Sequence, residues 1–325
     1  MNSDQQGPFR FDVFSDPGEV DAQARAAVAS LREAAERVGG AEPRVLLPSA
    51  RLALRAAEHI LRSGLADNAM ADLHLDKMTE LSRALNRVSR CLELAKEGRG
   101  PEAVPELRGD VRLGYHSRVD DTDQPFCLFV PHDYQASRPY PVMVRLHGMW
   151  DQIDEAEWTI QTFEWDREFV RYSPRGSFLE LYPYGRGNEG YREAGREDVL
   201  DTLDLVCELF NTDPDRVYLL GSSMGAAGAW RLAAQYGERF AAVCGVVGAY
   251  DQSLAPNVAR LPVMFHYGGK DSAERVTSPQ ETAALLTSLG GVAEVVGHPE
   301  SGHRLETTDY QLSYYQFFAR HARKS

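Results

Sequence analysis

Residues 216–228 read RVYLLGSSMGAAG, and this short segment carries most of the information about the fold. Its apolar first half predicts a β-strand, and the alanine-rich run that continues to Tyr236 predicts a helix. Between them, Gly221 and Gly225 flank Ser223 at a spacing of two residues, which permits a very sharp turn of the chain. Such a turn lifts the hydroxyl group of Ser223 clear of the strand and points the N–H groups of the helix N-terminus towards it. Ser223 is therefore a candidate nucleophile.

The order strand, Gly-x-Ser-x-Gly and helix is that of the nucleophile elbow of an α/β-hydrolase, in which an acid and then a histidine follow the serine along the chain. Asp271 follows the predicted strand 261–267, and His303 lies in the loop before a last predicted helix. An imidazole must take the proton of the serine hydroxyl during attack, and a carboxylate holds that imidazole in the required tautomer. We therefore predict Ser223 as nucleophile, His303 as base and Asp271 as the orienting acid.

Other residues compete for these roles. Asp251 follows the apolar strand 243–247 and is the alternative acid, and His298, five residues before His303, is the alternative base. His266 lies inside a predicted strand, so we interpret it as a core histidine with a satisfied hydrogen bond. More remote candidates for the acid or the nucleophile are Glu274, Glu300 and Ser222.

The loop after the predicted strand 140–146 is a candidate for half of an oxyanion hole. In this fold one donor is the amide of the residue after the nucleophile, here Met224, and the other comes from the loop after the third strand. Gly148 allows that loop to approach the substrate, so we predict the amide of Met149 as the second donor. His147 is expected to tie the loop to neighbouring backbone.

Two side chains near this loop are candidates for substrate binding. Trp150 adjoins the oxyanion loop and is expected to line the cleft. Arg186 follows the next predicted strand and is a candidate for binding a carboxylate on the substrate, with a solvated loop arginine as the alternative. Serine-based hydrolysis of this kind requires neither a metal ion nor an organic cofactor.

The region around the elbow resembles a known family. Residues 213–230 are similar to the esterase and predicted-peptidase branch of the α/β-hydrolases, which includes feruloyl-esterase-like and polyhydroxybutyrate-depolymerase-like enzymes and relatives of the prolyl oligopeptidase catalytic domain. Further segments that resemble this branch are 129–134, 139–141, 146–148, 180–187, 197–199 and 238–243. The resemblance implies a serine hydrolase with a mostly parallel central sheet flanked by helices. Ala226 departs from it, because the branch usually has a second glycine there, and its methyl group is expected to narrow the acyl side of the pocket.

Charge and hydropathy exclude several classes of protein. The formal net charge of −13 argues against a nucleic-acid partner, and residues 106–325 hold 21 basic and 32 acidic side chains. This acidic field favours neutral or cationic substrates. Neither a run of about 18 apolar residues nor a signal peptide is recognisable, so we expect a cytoplasmic protein with no membrane partner. Four widely spaced cysteines are expected to be buried free thiols, namely Cys91, Cys127, Cys207 and Cys244.

Three amphipathic helical patterns precede the hydrolase-like region, over residues 18–38, 49–63 and 67–97. We predict an N-terminal all-helical subdomain with its linker over residues 1–105 and a catalytic domain over 106–325. The apolar stripes must be covered by each other, by the catalytic domain or by a second copy of the chain. The helical part is therefore a packing appendage, a cap over the active site or a means of forming homo-oligomers.

The remaining pattern predicts how the sheet is built. Residues 111–130 predict two antiparallel strands joined by the polar turn 120–123, after which strands and helices alternate. Ligands bind outside the carboxyl ends of parallel strands, where all the nominated residues fall. The leading hypothesis is a serine hydrolase of small carboxylic esters. The alternatives are a peptidase of prolyl-oligopeptidase type, and an acyltransferase or non-catalytic relative.

Overall fold

The computed structural model describes residues 7–12, 14–38, 45–65, 69–70, 75–99, 101–149, 154–156, 158–159, 177–305 and 309–323. The chain forms two compact units. The first contains residues 1–134 and 153–168, and the second contains residues 135–152 and 169–325.

Three long helices and a β-hairpin dominate the first unit. The helices pack against one another along their apolar faces, as their periodicity predicts. Helix α1 begins after Asp16, whose carboxylate accepts hydrogen bonds from the amides of Gly18 and Glu19. The elements of this unit are α1 (Pro17–Arg37), α2 (Leu46–Ser63), β1 (Ala69–Met70), β2 (Leu75–Asp76), α3 (Lys77–Lys96), a 3₁₀ turn (Pro101–Glu106), β3 (Gly109–Ser117) and β4 (Thr122–Val130).

The third helix is shorter than its sequence pattern predicts. The pattern predicts a helix over residues 67–97, but the short antiparallel pair β1 and β2 precedes α3, which begins only at Lys77. The reason is the cap: the Asp76 carboxylate accepts hydrogen bonds from the amides of Met78 and Thr79 at 3.1 and 3.2 Å. Because Asp76 has an extended backbone, the helix cannot continue upstream of it.

The predicted hairpin is present, and it belongs to the first compact unit. Strands β3 and β4 pair antiparallel from Gly109–Val130 to Ser117–Thr122. Helix α2 lies directly against β3: the amide of Gly114 donates to the hydroxyl of Ser49 at 2.8 Å, and a side chain at position 114 would collide with Pro48 and Leu52. This contact explains why the first unit extends past residue 105, where the sequence predicts the end of the helical part.

Six strands of the second unit pair in parallel, in the spatial order β10-β9-β8-β7-β5-β6. Strands β5, β6 and β8 are almost wholly buried, which is typical of parallel strands covered on both faces. The prediction of a mostly parallel sheet flanked by helices is therefore confirmed. The strands are β5 (Tyr140–Leu146), β6 (Leu179–Pro183), β7 (Thr212–Ser222), β8 (Ala242–Val246), β9 (Val263–Gly268) and β10 (Ala293–His298).

The helices of the second unit alternate with its strands, as the sequence predicts. One core cluster joins Tyr218 of β7 to aromatic side chains of the last helix, including Tyr314, Phe317 and Phe318. The helices are α4 (Glu193–Leu209), α5 (Met224–Tyr236), α6 (Ala255–Val258), α7 (Ala273–Ser288) and α8 (Asp309–Ala319), with 3₁₀ turns at Gly237–Arg239 and Gln252–Leu254.

Two further expectations can be compared with the described residues. Among them, none of the helices combines the length and hydropathy that crossing a bilayer requires. The four cysteines are free thiols, as predicted; Cys91, Cys127 and Cys244 are buried, whereas Cys207 is half-buried.

Candidate active site

Ser223 lies at a sharp turn between β7 and α5. Its backbone has a φ of 53°, and the helix begins at the next residue, Met224. Both flanking glycines are required by close approach of backbone atoms. A Cβ at position 221 would lie 2.0 Å from the carbonyl oxygen of Gly225, and one at position 225 would lie 2.1 Å from that of Leu146. The turn therefore has the construction that the sequence pattern predicts.

The structure brings Ser223, His303 and Asp271 into one hydrogen-bonded chain. The Oγ of Ser223 lies 2.8 Å from Nε2 of His303, and Nδ1 of His303 lies 2.7 Å from Oδ2 of Asp271. A carboxylate can only accept, so Nδ1 carries a hydrogen and Nε2 is free to accept the proton of the Ser223 hydroxyl. This is the tautomer that a general base requires.

Local contacts hold the Asp271 carboxylate. Its side chain is 5% exposed, its Oδ1 accepts from the amide of Ser272 at 2.7 Å, and the guanidinium of Arg275 lies 4.0 Å away. The loop after β9 is also tied to the loop that carries His303, because the amide of Gly269 donates to the carbonyl of His298 and that of Lys270 to the carbonyl of Ser301, both at 2.9 Å. The two loops thus support each other.

The competing residues have other partners. The carboxylate of Asp251 accepts from the amide and hydroxyl of Ser253 at 3.0 and 2.6 Å, and these bonds lower its pKa. His298 places its Nε2 3.0 Å from Nδ1 of His266. Glu300 pairs with Lys270 at 2.8 Å.

His266 is fully buried in the core, as expected, but only one of its ring nitrogens has a hydrogen-bond partner among the described residues. Nδ1 faces His298, whereas Nε2 is buried with no partner in that part of the chain. Burial, and to a lesser degree the neighbouring His298, lower the pKa of His266 to about 3. The imidazole is therefore neutral at physiological pH.

The loop after β5 lies beside Ser223. A Cβ at Gly148 would be 3.4 Å from the Cβ of Ser223, so the backbone of this loop passes within contact distance of that side chain. Met149 follows with a side chain that is 67% exposed, and Met224 provides the first amide of α5, where N–H groups have no acceptor within the helix.

His147 ties this loop to neighbouring backbone, as predicted. Its Nδ1 lies 2.7 Å from the carbonyl oxygen of Gly148 and its Nε2 lies 2.9 Å from that of Tyr184. Burial lowers the pKa of His147, against the opposing effect of these two carbonyls. The neutral ring has a single N–H, so it donates to one of the two carbonyls at a time.

Of the two predicted substrate-binding side chains, the structure describes only one. Trp150 lies outside the described residues. Arg186 is almost buried, and its guanidinium donates to the carboxylate of Asp198 at 2.7 and 3.2 Å. This ion pair anchors the loop after β6 to helix α4, which is the role the structure gives Arg186; substrate binding by it stays a prediction.

Sequence reasoning missed Tyr191, which packs against His147 of the loop after β5. Its hydroxyl donates to the carbonyl of His147 at 3.2 Å, and its ring meets the imidazole edge-on at a centroid distance of 5.5 Å. The available signal was the run of glycines at 185, 187 and 190, all of which have a positive φ. Such a run indicates a tightly wound segment whose next large side chain has a fixed position.

A cavity of about 310 Å³ lies at the carboxyl end of the parallel strands, beside the elbow helix. Ala227, one of its lining residues, follows Ser223 by four positions, which corresponds to roughly 6 Å along a helix. The volume of the cavity is at the lower end of the range for small-molecule pockets. The lining residues are Ala227, Trp230, Arg231, Ala249, Tyr250, Asp251 and Glu274.

Comparison with known protein families identifies the family of this chain. A family model described as "Putative esterase" matches residues 119–306, which is more than half of the chain. The chain belongs to the Esterase family. Among curated proteins, none matches it by sequence.

Solved structures agree with this family membership at the level of the fold. A thermostable esterase superposes with a TM-score of 0.55 at 20% identity, over 66% of this chain and 63% of that one. An S-formylglutathione hydrolase from Staphylococcus aureus superposes with a TM-score of 0.52 at 16% identity, over 66% of this chain and 97% of the hydrolase. An acylaminoacyl peptidase from Pyrococcus horikoshii superposes with a TM-score of 0.51 at 14% identity, over 68% of this chain and 44% of the peptidase. At these identities the likeness shows the α/β-hydrolase fold alone.

Proposed function

We propose that this member of the Esterase family is a serine hydrolase of small carboxylic esters. The observation that supports it is the hydrogen-bonded chain from Asp271 through His303 to Ser223, at 2.7 and 2.8 Å, with the serine at a strand-to-helix turn. A serine hydroxyl alone is a poor nucleophile at neutral pH, and this arrangement supplies the base that activates it.

The reaction has two halves. Ser223 Oγ attacks the ester carbonyl while its proton moves to Nε2 of His303, and the amides of Met149 and Met224 stabilise the oxyanion that forms. Each such donor contributes roughly 3 kcal/mol in comparable sites. His303 then protonates the leaving alcohol as the C–O bond breaks, which leaves an acyl group on Ser223. A water molecule, deprotonated by His303, releases the acid and restores the hydroxyl.

Turnover of 4-nitrophenyl acetate and labelling by a fluorophosphonate probe test this proposal. The unaltered protein is expected to hydrolyse the ester and to take one label at Ser223, and Ser223→Ala to lose both. Ser222→Ala is the matched control, since it removes the neighbouring hydroxyl, which is exposed and is not the one bonded to His303. A folded protein that takes no label at Ser223 would contradict the proposal.

A peptidase is the second candidate, because an acylaminoacyl peptidase shares the fold over 68% of this chain. The same nucleophile, base and oxyanion donors serve amides and esters alike, so the catalytic geometry favours neither. This chain covers only 44% of that peptidase, and we therefore place ester hydrolysis first. A parallel assay of acyl nitrophenyl esters and dipeptide nitroanilides separates the two: turnover of the anilides without turnover of the esters would reverse the order.

A further inference from the structure

The segment between β6 and α4 is wound unusually tightly behind the oxyanion loop. Gly185, Gly187 and Gly190 have φ values of 56°, 65° and 71°, and Tyr191 has a φ of 56°. Glycine adopts this left-handed backbone freely, whereas a tyrosine does so only where its surroundings determine it. The fold thus holds Tyr191 in one defined position.

The surroundings of Tyr191 explain how it is held. Its side chain is 1% exposed and occupies space that two glycines leave open: a Cβ at Gly185 would lie 2.4 Å from the ring, and one at Gly228 of the elbow helix would lie 2.6 Å from it. The elbow helix adds a second contact, because the guanidinium of Arg231 donates to the carbonyl of Gly190. The ring is therefore fixed from both its own segment and the helix that follows Ser223.

The hydroxyl of Tyr191 connects this fixed ring to the oxyanion loop. It donates to the carbonyl oxygen of His147 at 3.2 Å, and the same carbonyl lies so close to α5 that a Cβ at Gly225 would be 2.7 Å from it. Burial raises the pKa of Tyr191 well above its ordinary value, so the hydroxyl remains a donor. The neutral His147 ring serves one carbonyl at a time, whereas the Tyr191 bond does not depend on its tautomer.

We propose that Tyr191 is a positioning residue that fixes the peptide plane after His147 and thereby aims the following amides of the oxyanion loop at the substrate. The role rests on the proposed function, since it concerns the donors of that same site. In this role Tyr191 acts through the backbone of residues 147–149, with its hydroxyl bonded to the carbonyl oxygen of His147.

The test is Tyr191→Phe, which removes the hydroxyl and keeps the ring. With 4-nitrophenyl acetate we expect kcat to fall by about tenfold while KM stays within about twofold, because an oxyanion donor acts in the transition state. Affinity for a trifluoromethyl ketone that forms a tetrahedral adduct is expected to fall by the same factor. The backbone amide NMR signals of Gly148 and Met149 are expected to shift, because the peptide plane before them is no longer fixed.

Tyr218→Phe is the matched control. The Tyr218 hydroxyl is likewise on a buried ring and donates to a backbone carbonyl, that of His321, at 2.7 Å. Both variants lose one hydroxyl-to-carbonyl bond, so a similar fall in melting temperature is expected for each, and a fall in kcat for Tyr191→Phe alone. Gly228→Ala, which presses a methyl group against the same ring, is expected to reproduce the kinetic effect.

Each result bears on one claim. Unchanged amide NMR signals of Gly148 and Met149 in Tyr191→Phe, or an equal loss of kcat in Tyr218→Phe, overturns the positioning role. Shifted signals in a protein that neither hydrolyses esters nor takes the fluorophosphonate label show that Tyr191 fixes the loop backbone and refute the proposed function instead.

Discussion

Asp271 and Asp251 both follow parallel strands, but their carboxylates have different partners. Asp271 accepts a hydrogen bond from His303, whereas Asp251 accepts two from Ser253. We predict that Asp271→Asn lowers kcat for 4-nitrophenyl acetate by on the order of 10⁴, because an amide N–H facing Nδ1 favours the tautomer that cannot accept the serine proton. Steady-state kinetics of the purified variant measures this loss.

Asp251→Asn is the matched control for that prediction. It makes the same chemical change at an exposed residue that lines the cavity and whose carboxylate bonds lie within its own turn, so kcat, as distinct from KM, is expected to stay near that of the unaltered protein. If the two variants lost activity equally, the assignment of the acid to Asp271 would be wrong.

Individual site residues differed in how far the sequence could predict them. The turn at Ser223 was predictable because a sharp turn requires glycines at fixed distances. The contact between the loops of His303 and Asp271 was predictable because strand ends determine which loops meet, and the catalytic roles of the three residues stay predictions. Tyr191 was not accessible, since its position depends on a left-handed backbone and on gaps left by Gly185 and Gly228, which lie far apart in the sequence. Periodicity reports the direction of a side chain within one element and gives no information about such gaps.

The junction of β5, β7 and α5 depends on close packing of backbone atoms at Gly225. We predict that Gly225→Ala lowers kcat/KM by on the order of 100-fold, because its methyl group would lie 2.1 Å from the carbonyl oxygen of Leu146 and force the turn at Ser223 and the loop after β5 apart. A loss of stability of about 1–3 kcal/mol is expected as well. Kinetics and chemical denaturation of the same preparation measure both effects.

Gly302→Ala provides the comparison, because no atom of the residues that the structure describes lies within 4 Å of a Cβ at that position, immediately before His303. The free energy of unfolding of the Gly302→Ala variant is expected to change by no more than about 0.5 kcal/mol, and its activity only slightly. A severe loss there, or a tolerated methyl group at position 225, would contradict the packing argument.

Helix α3 shows how a cap overrides an amphipathic pattern. The apolar spacing extends upstream to residue 67, yet the helix begins at Lys77 because the Asp76 carboxylate binds the free amides of the first turn. Asp76→Ala is expected to destabilise the first unit by about 1 kcal/mol, whereas Asp76→Ser, which keeps an acceptor, is expected to restore most of that loss. Hydrogen exchange of the Met78 and Thr79 amides measures the effect, and equal exchange in both variants would exclude a capping role.

The division of the whole chain was harder to predict than its elements. Amphipathic periodicity shows that a helix face is buried and does not show which element covers it. Here the cover includes strand β3, with Ser49 of α2 bonded to Gly114, so the first compact unit contains the hairpin and runs to residue 134. The parallel sheet, in contrast, was predictable because alternating strands and helices leave few other arrangements.

The stability of the protein is expected to fall in acid, and His266 provides a specific reason. In the folded chain burial lowers its pKa to about 3, whereas in the unfolded chain it titrates near 6.5. Below pH 6.5 the unfolded state therefore binds one more proton than the folded state at this site. The free energy of unfolding consequently decreases by up to about 1.4 kcal/mol per pH unit as the pH falls from 6.5 towards 3, and the effect is absent at higher pH.

His266→Phe tests this contribution by urea unfolding at intervals between pH 4.5 and 7.5. The variant is expected to show a shallower loss of stability below pH 6.5, whatever its stability at neutral pH. His116→Asn gives the opposite sign: hydrogen bonds to Asp121 and then Asp123 raise the pKa of His116, so its stabilisation is present at low pH and is lost as the pH rises through the folded value. Removing the imidazole of His116 is therefore expected to make the free energy of unfolding fall more steeply as the pH decreases. Identical slopes for His266→Phe and the unaltered protein would mean that this imidazole titrates alike in the folded and unfolded states, and would contradict the prediction drawn from its burial.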